Sequence, residues 1–120
     1  MDTVFVIVQV LLGIVFLGTA IRHIQGAGAT TLQPRMEWIA AVPPTFMRTI
    51  GVLEIAGGLS LIGTVVTGTT WLAALTAACF VVLMIFAAVF HARRANELPN
   101  IAFNAILGVM GLIVLYANLT

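Results

Sequence analysis

The sequence predicts an all-α integral membrane protein: a four-helix bundle with a short interfacial helix between the first two spans. Two observations predict this class. Hydrophobic residues make up 62% of the 120 residues and charged residues only 8%, whereas a soluble domain carries roughly a quarter charged residues. Four apolar runs each approach the length of about 20 residues that crosses a bilayer core. A soluble fold of this composition would not keep its surface hydrated.

The four apolar runs define one predicted transmembrane domain over residues 1–120. A glycine-containing segment ends the first run, two prolines precede the second, an uncharged turn follows it, and a charged loop separates the last two. The predicted spans lie at roughly residues 4–24, 46–66, 71–91 and 100–119.

The long connection between the first two spans predicts the interfacial helix. Pro34 can open a helix that runs to about Ala41, because proline is favoured at a first helical position. Trp38 beside Arg35 and Glu37 is typical of a segment that lies at a membrane surface. Pro43 and the proline after it then end this segment.

The charge distribution predicts an orientation. Every basic group is an arginine, and all of them lie in or beside the first and third loops: Arg22, Arg35, Arg48, Arg93 and Arg94. The positive-inside rule places these loops in the cytoplasm and both termini outside. We expect an integral protein of the bacterial inner (plasma) membrane. The net charge of +1 is too small to indicate nucleic acid, and the single cysteine, Cys79, excludes an internal disulfide.

Glu54 is the residue most indicative of a site. It lies about two turns into the second span, roughly 10 Å deep, and a charge at bilayer depth costs at least about 2.5–3.5 kcal/mol on insertion scales. Gly51, Glu54 and Gly58 share one helix face, and small residues let a neighbouring helix approach closely. Glu54 is therefore either a buried carboxylate that relays protons or anchors a ligand, or one half of a structural ion pair.

Other polar groups are expected at the same end of the bundle. Arg22 and His23 end the first span, His91 ends the third, and Asn104 lies about one turn into the fourth. We predict a ligand-binding or buried polar cluster formed by Arg22, Glu54, His91 and Asn104. Arg22 and Arg48 have the alternative of reaching the lipid head groups, and His91 that of an ordinary interfacial residue. The histidines, Glu54 and Cys79 show no ligand-spaced motif, so we expect no metal site.

Three stretches together resemble the DoxX-like family of small four-helix membrane proteins. These are Gly18 with Arg22 closing the first span, the Gly-Val-Leu-Glu-Ile-Ala-Gly-Gly stretch at 51–58, and Ala87, His91 and Arg93 closing the third. The resemblance covers nearly the whole chain, although the first-span position is more often lysine in the family. It implies a link to membrane oxidoreductases, since the namesake is similar to a subunit of a thiosulfate:quinone oxidoreductase. A distant branch resembles an assembly chaperone for ion channels.

Three functions remain open at this point. The first is an accessory or quinone-interacting component of a membrane oxidoreductase system, with quinone as a possible diffusing cofactor and no covalently bound one. The second is a non-catalytic assembly or binding factor for another membrane protein, favoured by the small-residue faces and the lack of a catalytic motif. The third is a transporter or channel for a small solute or proton, whose pathway four short helices could form only as a homo-oligomer.

Overall fold

The chain forms a bundle of four long helices and one short helical segment. A computed structural model describes residues 2–29, 32, 34–94 and 97–120, with the side chains of residues 34 and 35 excluded. The four helices are α1, Thr3–Gly26; α2, Pro44–Thr67; α3, Thr70–Ala92; and α4, Leu98–Leu119. Each is slightly longer than its predicted span. The predicted all-α class with four helices able to span a membrane is confirmed.

A 3₁₀ segment, Pro34–Ala41, occupies the connection between α1 and α2. Ile39 anchors it, because this side chain is only 1% exposed and packs with Ala27 and Met47 in a small apolar cluster of their own. Its position at a membrane surface stays a prediction.

Local chemistry explains where helices begin and end. Asp2 caps α1 by accepting a hydrogen bond from the backbone N–H of Val4 at 3.2 Å, as short acidic side chains commonly do at this position. Pro44 opens α2, where its missing N–H costs nothing. Gly68 ends α2 with φ +72°, a left-handed conformation that glycine adopts without steric strain.

Consecutive helices run antiparallel around a common axis. α1 packs mainly on α2 and α3 mainly on α4, while α1–α4 and α2–α3 contacts close the ring. The predicted close packing of the glycine face of α2 is confirmed. A Cβ added to Gly13 or Gly58 would lie 2.8 Å from the carbonyl oxygen of the other residue. The two backbones therefore touch, and this contact sets the register that brings Glu54 to the end of α1.

The middle of the bundle is apolar. Phe16 of α1 and Phe80 of α3 stack with ring centroids 3.6 Å apart, and the buried aliphatic side chains around them are Leu12, Leu61, Met84, Leu107 and Val114. The outer surface of the helices is also apolar, with residues such as Val66, Ile85 and Ile106 largely exposed. Such a surface on a long helix is suited to lipid, because lipid tails solvate it.

Candidate functional site

Glu54 makes a buried contact with His23 of α1. Its carboxylate oxygen Oε1 lies 2.5 Å from His23 Nδ1. Glu54 is 1% exposed, and the side chain of His23 is 15% exposed. A carboxyl and an imidazole at this distance share a hydrogen bond, and which of the two donates depends on where the proton resides.

Thr19 completes the environment of the Glu54 carboxyl group. Its hydroxyl lies 3.2 Å from Glu54 Oε2 and 3.1 Å from the carbonyl oxygen of Phe16. A hydroxyl carries one proton, so it donates to one of these acceptors at a time. Glu54 can thus accept from Thr19 as a carboxylate, or donate to it when protonated while Thr19 turns to Phe16. The contacts fit both protonation states.

The 3₁₀ segment supplies an aromatic cover to this end of the bundle. The Trp38 ring meets the His23 ring edge-on with centroids 5.3 Å apart and the His91 ring edge-on at 4.9 Å. Phe90 packs against the same indole at 6.1 Å. Trp38 therefore lies between two imidazoles that come from α1 and α3, and it joins the Glu54 pair to the end of α3.

His91 in turn faces Glu97, which precedes α4. His91 is 3% exposed, and its Nδ1 lies 3.6 Å from Glu97 Oε1, beyond hydrogen-bond distance. Glu97 accepts hydrogen bonds from Arg94 Nε at 2.8 Å and from Asn100 Nδ2 at 2.7 Å. Burial raises the pKa of Glu97, but the hydrogen bonds from Arg94 and Asn100, together with the neighbouring His91, outweigh it and leave the pKa below its ordinary value. Glu97 is therefore an ionised group at the mouth of the site.

Two buried nitrogen atoms at this end have no hydrogen-bond partner among the residues that the structure describes. They are His91 Nδ1 and Asn104 Nδ2, and Asn104 is only 8% exposed. An unsatisfied buried donor costs about 1–3 kcal/mol. Such atoms are uncommon in native interiors and call for a water, a ligand or a function.

The structure does not bring all four predicted site residues together. Glu54 and His91 belong to what we call the ionisable cluster, formed by Thr19, His23, Trp38, Glu54, His91 and Glu97. Asn104 lies on the buried face of α4 near the same end, and no contact joins it to the cluster within the described residues. Arg22 is exposed, and the carboxyl group of Glu54 contacts His23.

Four members of the cluster were outside the predicted site: Thr19, His23, Trp38 and Glu97. Helical spacing in the sequence could have identified His23, because this residue follows Phe16 and Ala20 on the buried face of α1 and Arg22 does not. No sequence feature except its aromatic ring indicated that Trp38 belongs to the site. Its contact with both histidines depends on how the 3₁₀ segment folds back. The sequence indicated Glu97 only as one of the charged residues in the loop between the last two spans.

A second polar group of residues lies at the opposite end of the bundle. Gln9 Nε2 donates to the Leu61 carbonyl at 2.7 Å and to the Thr64 hydroxyl at 3.1 Å. Asn118 Nδ2 donates to Gln9 Oε1 at 3.0 Å and to the Val114 carbonyl at 2.8 Å. We call Gln9, Thr64 and Asn118 the amide cluster. It contains no ionisable group, and its hydrogen bonds join α1, α2 and α4.

Comparison with known proteins identifies a family. The model of the DoxX-like family matches residues 7–114, a stretch that includes all four helices, Glu54 and both histidines. No curated protein and no solved structure matches the chain. Within the described residues, no group of three or more His, Cys, Asp or Glu side chains is placed to hold a metal ion. Because the match covers nearly the whole sequence, the chain belongs to the DoxX-like family of membrane proteins.

Proposed function

We propose that this protein is an accessory component of a membrane oxidoreductase system and binds a quinone or a similar lipophile at the ionisable cluster. The observation that carries the proposal is the pair of unsatisfied buried nitrogens, His91 Nδ1 and Asn104 Nδ2, at the end that holds the hydrogen-bonded His23–Glu54 pair. Among small lipophilic molecules of a membrane, a quinone offers the matching chemistry.

A quinone head group is flat, apolar on its faces and carries two carbonyl oxygens that only accept hydrogen bonds. Asn104 Nδ2 can donate to one such oxygen, because an amide nitrogen is a donor. His91 can donate from Nδ1 in the matching tautomer. Trp38 and Phe90 provide an aromatic surface beside His91.

In this proposal, the His23–Glu54 pair is the proton donor to a bound quinone. Reduction of a quinone to a hydroquinone takes two electrons and two protons, and the electrons come from the partner oxidoreductase in this proposal. In this proposal the His23–Glu54 pair passes one proton to a ligand oxygen and water at the membrane surface supplies the second, while Thr19 can follow the change by turning its hydroxyl. Arg22, exposed on the same turn of α1, is assigned to the rim of the site, where its charge meets the head-group layer.

Tryptophan fluorescence of purified protein in lipid nanodiscs tests quinone binding. The W71F background leaves Trp38 as the single tryptophan, so quenching by an added short-chain quinone reports on the cluster. We expect saturable quenching and an affinity about tenfold weaker in Asn104→Leu, which corresponds to one lost hydrogen bond of about 1.4 kcal/mol.

Asn118→Leu is the matched control, because it removes the same amide from the same helix at the other end of the bundle. Its quinone affinity should equal that of the W71F parent. Quenching that rises linearly without saturation, or an equal loss of affinity in both asparagine variants, would contradict quinone binding at this site.

The assembly-factor function has less support. It was suggested by the small-residue faces, but Gly58 packs on Gly13 and Gly51 packs on Ala20 and Ile24, all within the chain. These faces are used to join α1 to α2. The transporter function has less support too, because the stacked Phe16 and Phe80 and their aliphatic neighbours separate the two polar clusters.

The proposal includes an orientation in the bacterial inner membrane. The ionisable cluster and the exposed Arg22, Arg48 and Arg93 share one end of the bundle, and the positive-inside rule places that end in the cytoplasm. An alkaline phosphatase fused after Thr120 should then be active, and a phosphatase inserted in the 3₁₀ segment inactive. The reverse pattern would invert the proposed orientation.

A further inference from the structure

A groove on the outer surface of α2 lies apart from both polar clusters. It has a volume of about 310 Å³ and is lined by Thr45, Arg48, Thr49, Val52 and Leu53. The groove is shallow and largely open, and all five of these residues belong to one exposed face of α2. Glu54 is only two residues from Val52 but lies on the buried face of the same helix. The groove therefore faces the surroundings of the bundle rather than its interior.

Arg48 is held in place at one end of this groove. Its guanidinium Nη2 donates to the Ala27 carbonyl at 3.4 Å, and the same atom lies 3.6 Å from the position of a Cβ on Gly28, which has φ +73°. The turn after α1 thus supports the guanidinium from one side. An arginine has five N–H donors, so most of them remain for another acceptor.

Arg48 has no carboxylate partner within the described part of the chain. The ion pairs there join Glu54 to His23 and Glu97 to His91 and Arg94. Arg48 is exposed. Its positive charge lies near the N-terminus of α2, a helix that is long and apolar enough to span a membrane. An anion from outside the chain would complement this charge.

The groove changes from polar to apolar along α2. Thr45, Arg48 and Thr49 occupy its first turns, and Thr49 donates to the Thr45 carbonyl at 2.9 Å, which leaves the oxygen of its hydroxyl group accessible. Val52 and Leu53 follow one turn deeper, about 6 Å along the helix, and are 58% and 65% exposed. This order matches a phospholipid, whose anionic head group lies above its acyl chains.

We propose that the groove binds the head group of an anionic phospholipid, with the phosphate on Arg48 and an acyl chain along Val52 and Leu53. The planar guanidinium binds a phosphate through two parallel hydrogen bonds, and the Thr45 hydroxyl lies on the same rim to donate a third. The lipid thereby ties the start of α2 and the turn after α1 to one membrane leaflet. This site is independent of the quinone site.

Native mass spectrometry of the purified full chain tests the proposal. Protein delipidated in a neutral detergent is titrated with phosphatidylglycerol or, separately, with phosphatidylcholine of the same acyl chains. We expect one phosphatidylglycerol to bind in preference to phosphatidylcholine. Arg48→Gln should lower phosphatidylglycerol affinity about tenfold and abolish the preference, and Arg48→Lys should keep part of it, because the charge stays and the paired geometry is lost.

Arg93→Gln is the matched control, since it removes an exposed arginine from the same end of the bundle. It should bind phosphatidylglycerol as the unmodified chain does. Equal binding of the two lipids, an unchanged Arg48→Gln variant, or an equal loss in Arg93→Gln would overturn the proposal. Quinone quenching of Trp38 in Arg48→Gln should equal that of its parent, so failure of one site leaves the other testable.

Discussion

The two polar clusters of the bundle differ in the kind of residue they use and in how completely their groups are paired. The amide cluster is neutral, and its Gln9 and Asn118 side chains bond to each other and to backbone carbonyls. The ionisable cluster holds a buried carboxyl group, two imidazoles and an unsatisfied His91 nitrogen. Full pairing is what a structural clamp requires, whereas a site that binds a ligand keeps donors free for it.

If the ionisable cluster binds a ligand as proposed, it gives up stability for binding, whereas the amide cluster only stabilises the bundle. Natural proteins commonly carry such locally unfavourable groups at functional sites. Substitutions at matched positions in the two clusters can therefore separate the two roles.

The largest effect is expected from His23→Leu, which removes one partner of the buried pair. Removing the partner of a buried polar group costs about 1–3 kcal/mol, and more when that group is charged, because Glu54 stays buried without its imidazole. The double variant His23→Leu/Glu54→Leu should recover most of this loss, since neither buried polar group then remains. SDS-induced unfolding in mixed micelles, followed by circular dichroism, measures both. A double variant as unstable as the single one would show that the pair is itself a required structural element.

A smaller loss is expected from Gln9→Leu in the amide cluster. Three hydrogen bonds disappear, and hydrogen bonds between membrane helices average about 0.6 kcal/mol each, so the free energy of unfolding should fall by about 2 kcal/mol. Quinone affinity should not change, because the cluster lies at the other end of the bundle. The same unfolding titration and the Trp38 quenching assay test these two statements, and a Gln9→Leu variant that loses quinone binding would remove the functional distinction between the clusters.

The two buried asparagines of α4 should respond in opposite directions. Asn118→Leu removes satisfied hydrogen bonds and should destabilise the fold by about 1 kcal/mol. Asn104→Leu removes an unsatisfied buried donor and should stabilise it by about 1 kcal/mol, at the lower end of the cost of such a group. Parallel unfolding titrations of the two variants in quinone-free micelles compare them. Destabilisation by Asn104→Leu would indicate that the native protein already satisfies this amide.

The smallest expected effect is the contribution of Glu97 to the pH dependence of the free energy of unfolding. Its pKa is lowered in the fold by the hydrogen bonds from Arg94 and Asn100, so its stabilising contribution is complete above the pKa of the unfolded carboxyl group. The contribution is lost as the pH falls through the lower pKa of the folded state. Glu97→Gln should therefore lose less stability on acidification than the parent does.

Glu37→Gln is the control for this pH dependence, because Glu37 is an exposed carboxylate in the neighbouring 3₁₀ segment. Its unfolding free energy should follow the parent's at every pH between neutral and mildly acidic. If Glu97→Gln also follows the parent, Glu97 does not contribute through its ionised form.

Much of the architecture could be predicted from composition and spacing. The four spans follow from apolar run length, and the packing face of α2 follows from the helical spacing of Gly51, Glu54 and Gly58. The family could be recognised from the residues around Glu54 and His91. These features are local, since each depends on the length, polarity or period of one segment.

The partner of Glu54 could not be predicted in the same way. Arg22 and His23 are adjacent at the end of α1, and arginine is the stronger permanent cation. Successive residues of a helix point about 100° apart, so only one of the two can face α2. The direct contact between Gly13 and Gly58 fixes the rotation of α1, which turns His23 inward and leaves Arg22 exposed.

The amino-acid sequence by itself determined that this chain is a four-helix membrane protein of the DoxX-like family with an ionisable residue inside its second span. Only the tertiary structure decided that Glu54 forms a hydrogen bond with His23, and that Trp38 lies between His23 and His91. Bilayer insertion depends on the summed hydrophobicity of each segment, which can be read along the chain. The site depends on the relative rotation of helices and on where the 3₁₀ segment folds back, which are decided by contacts between residues distant in sequence.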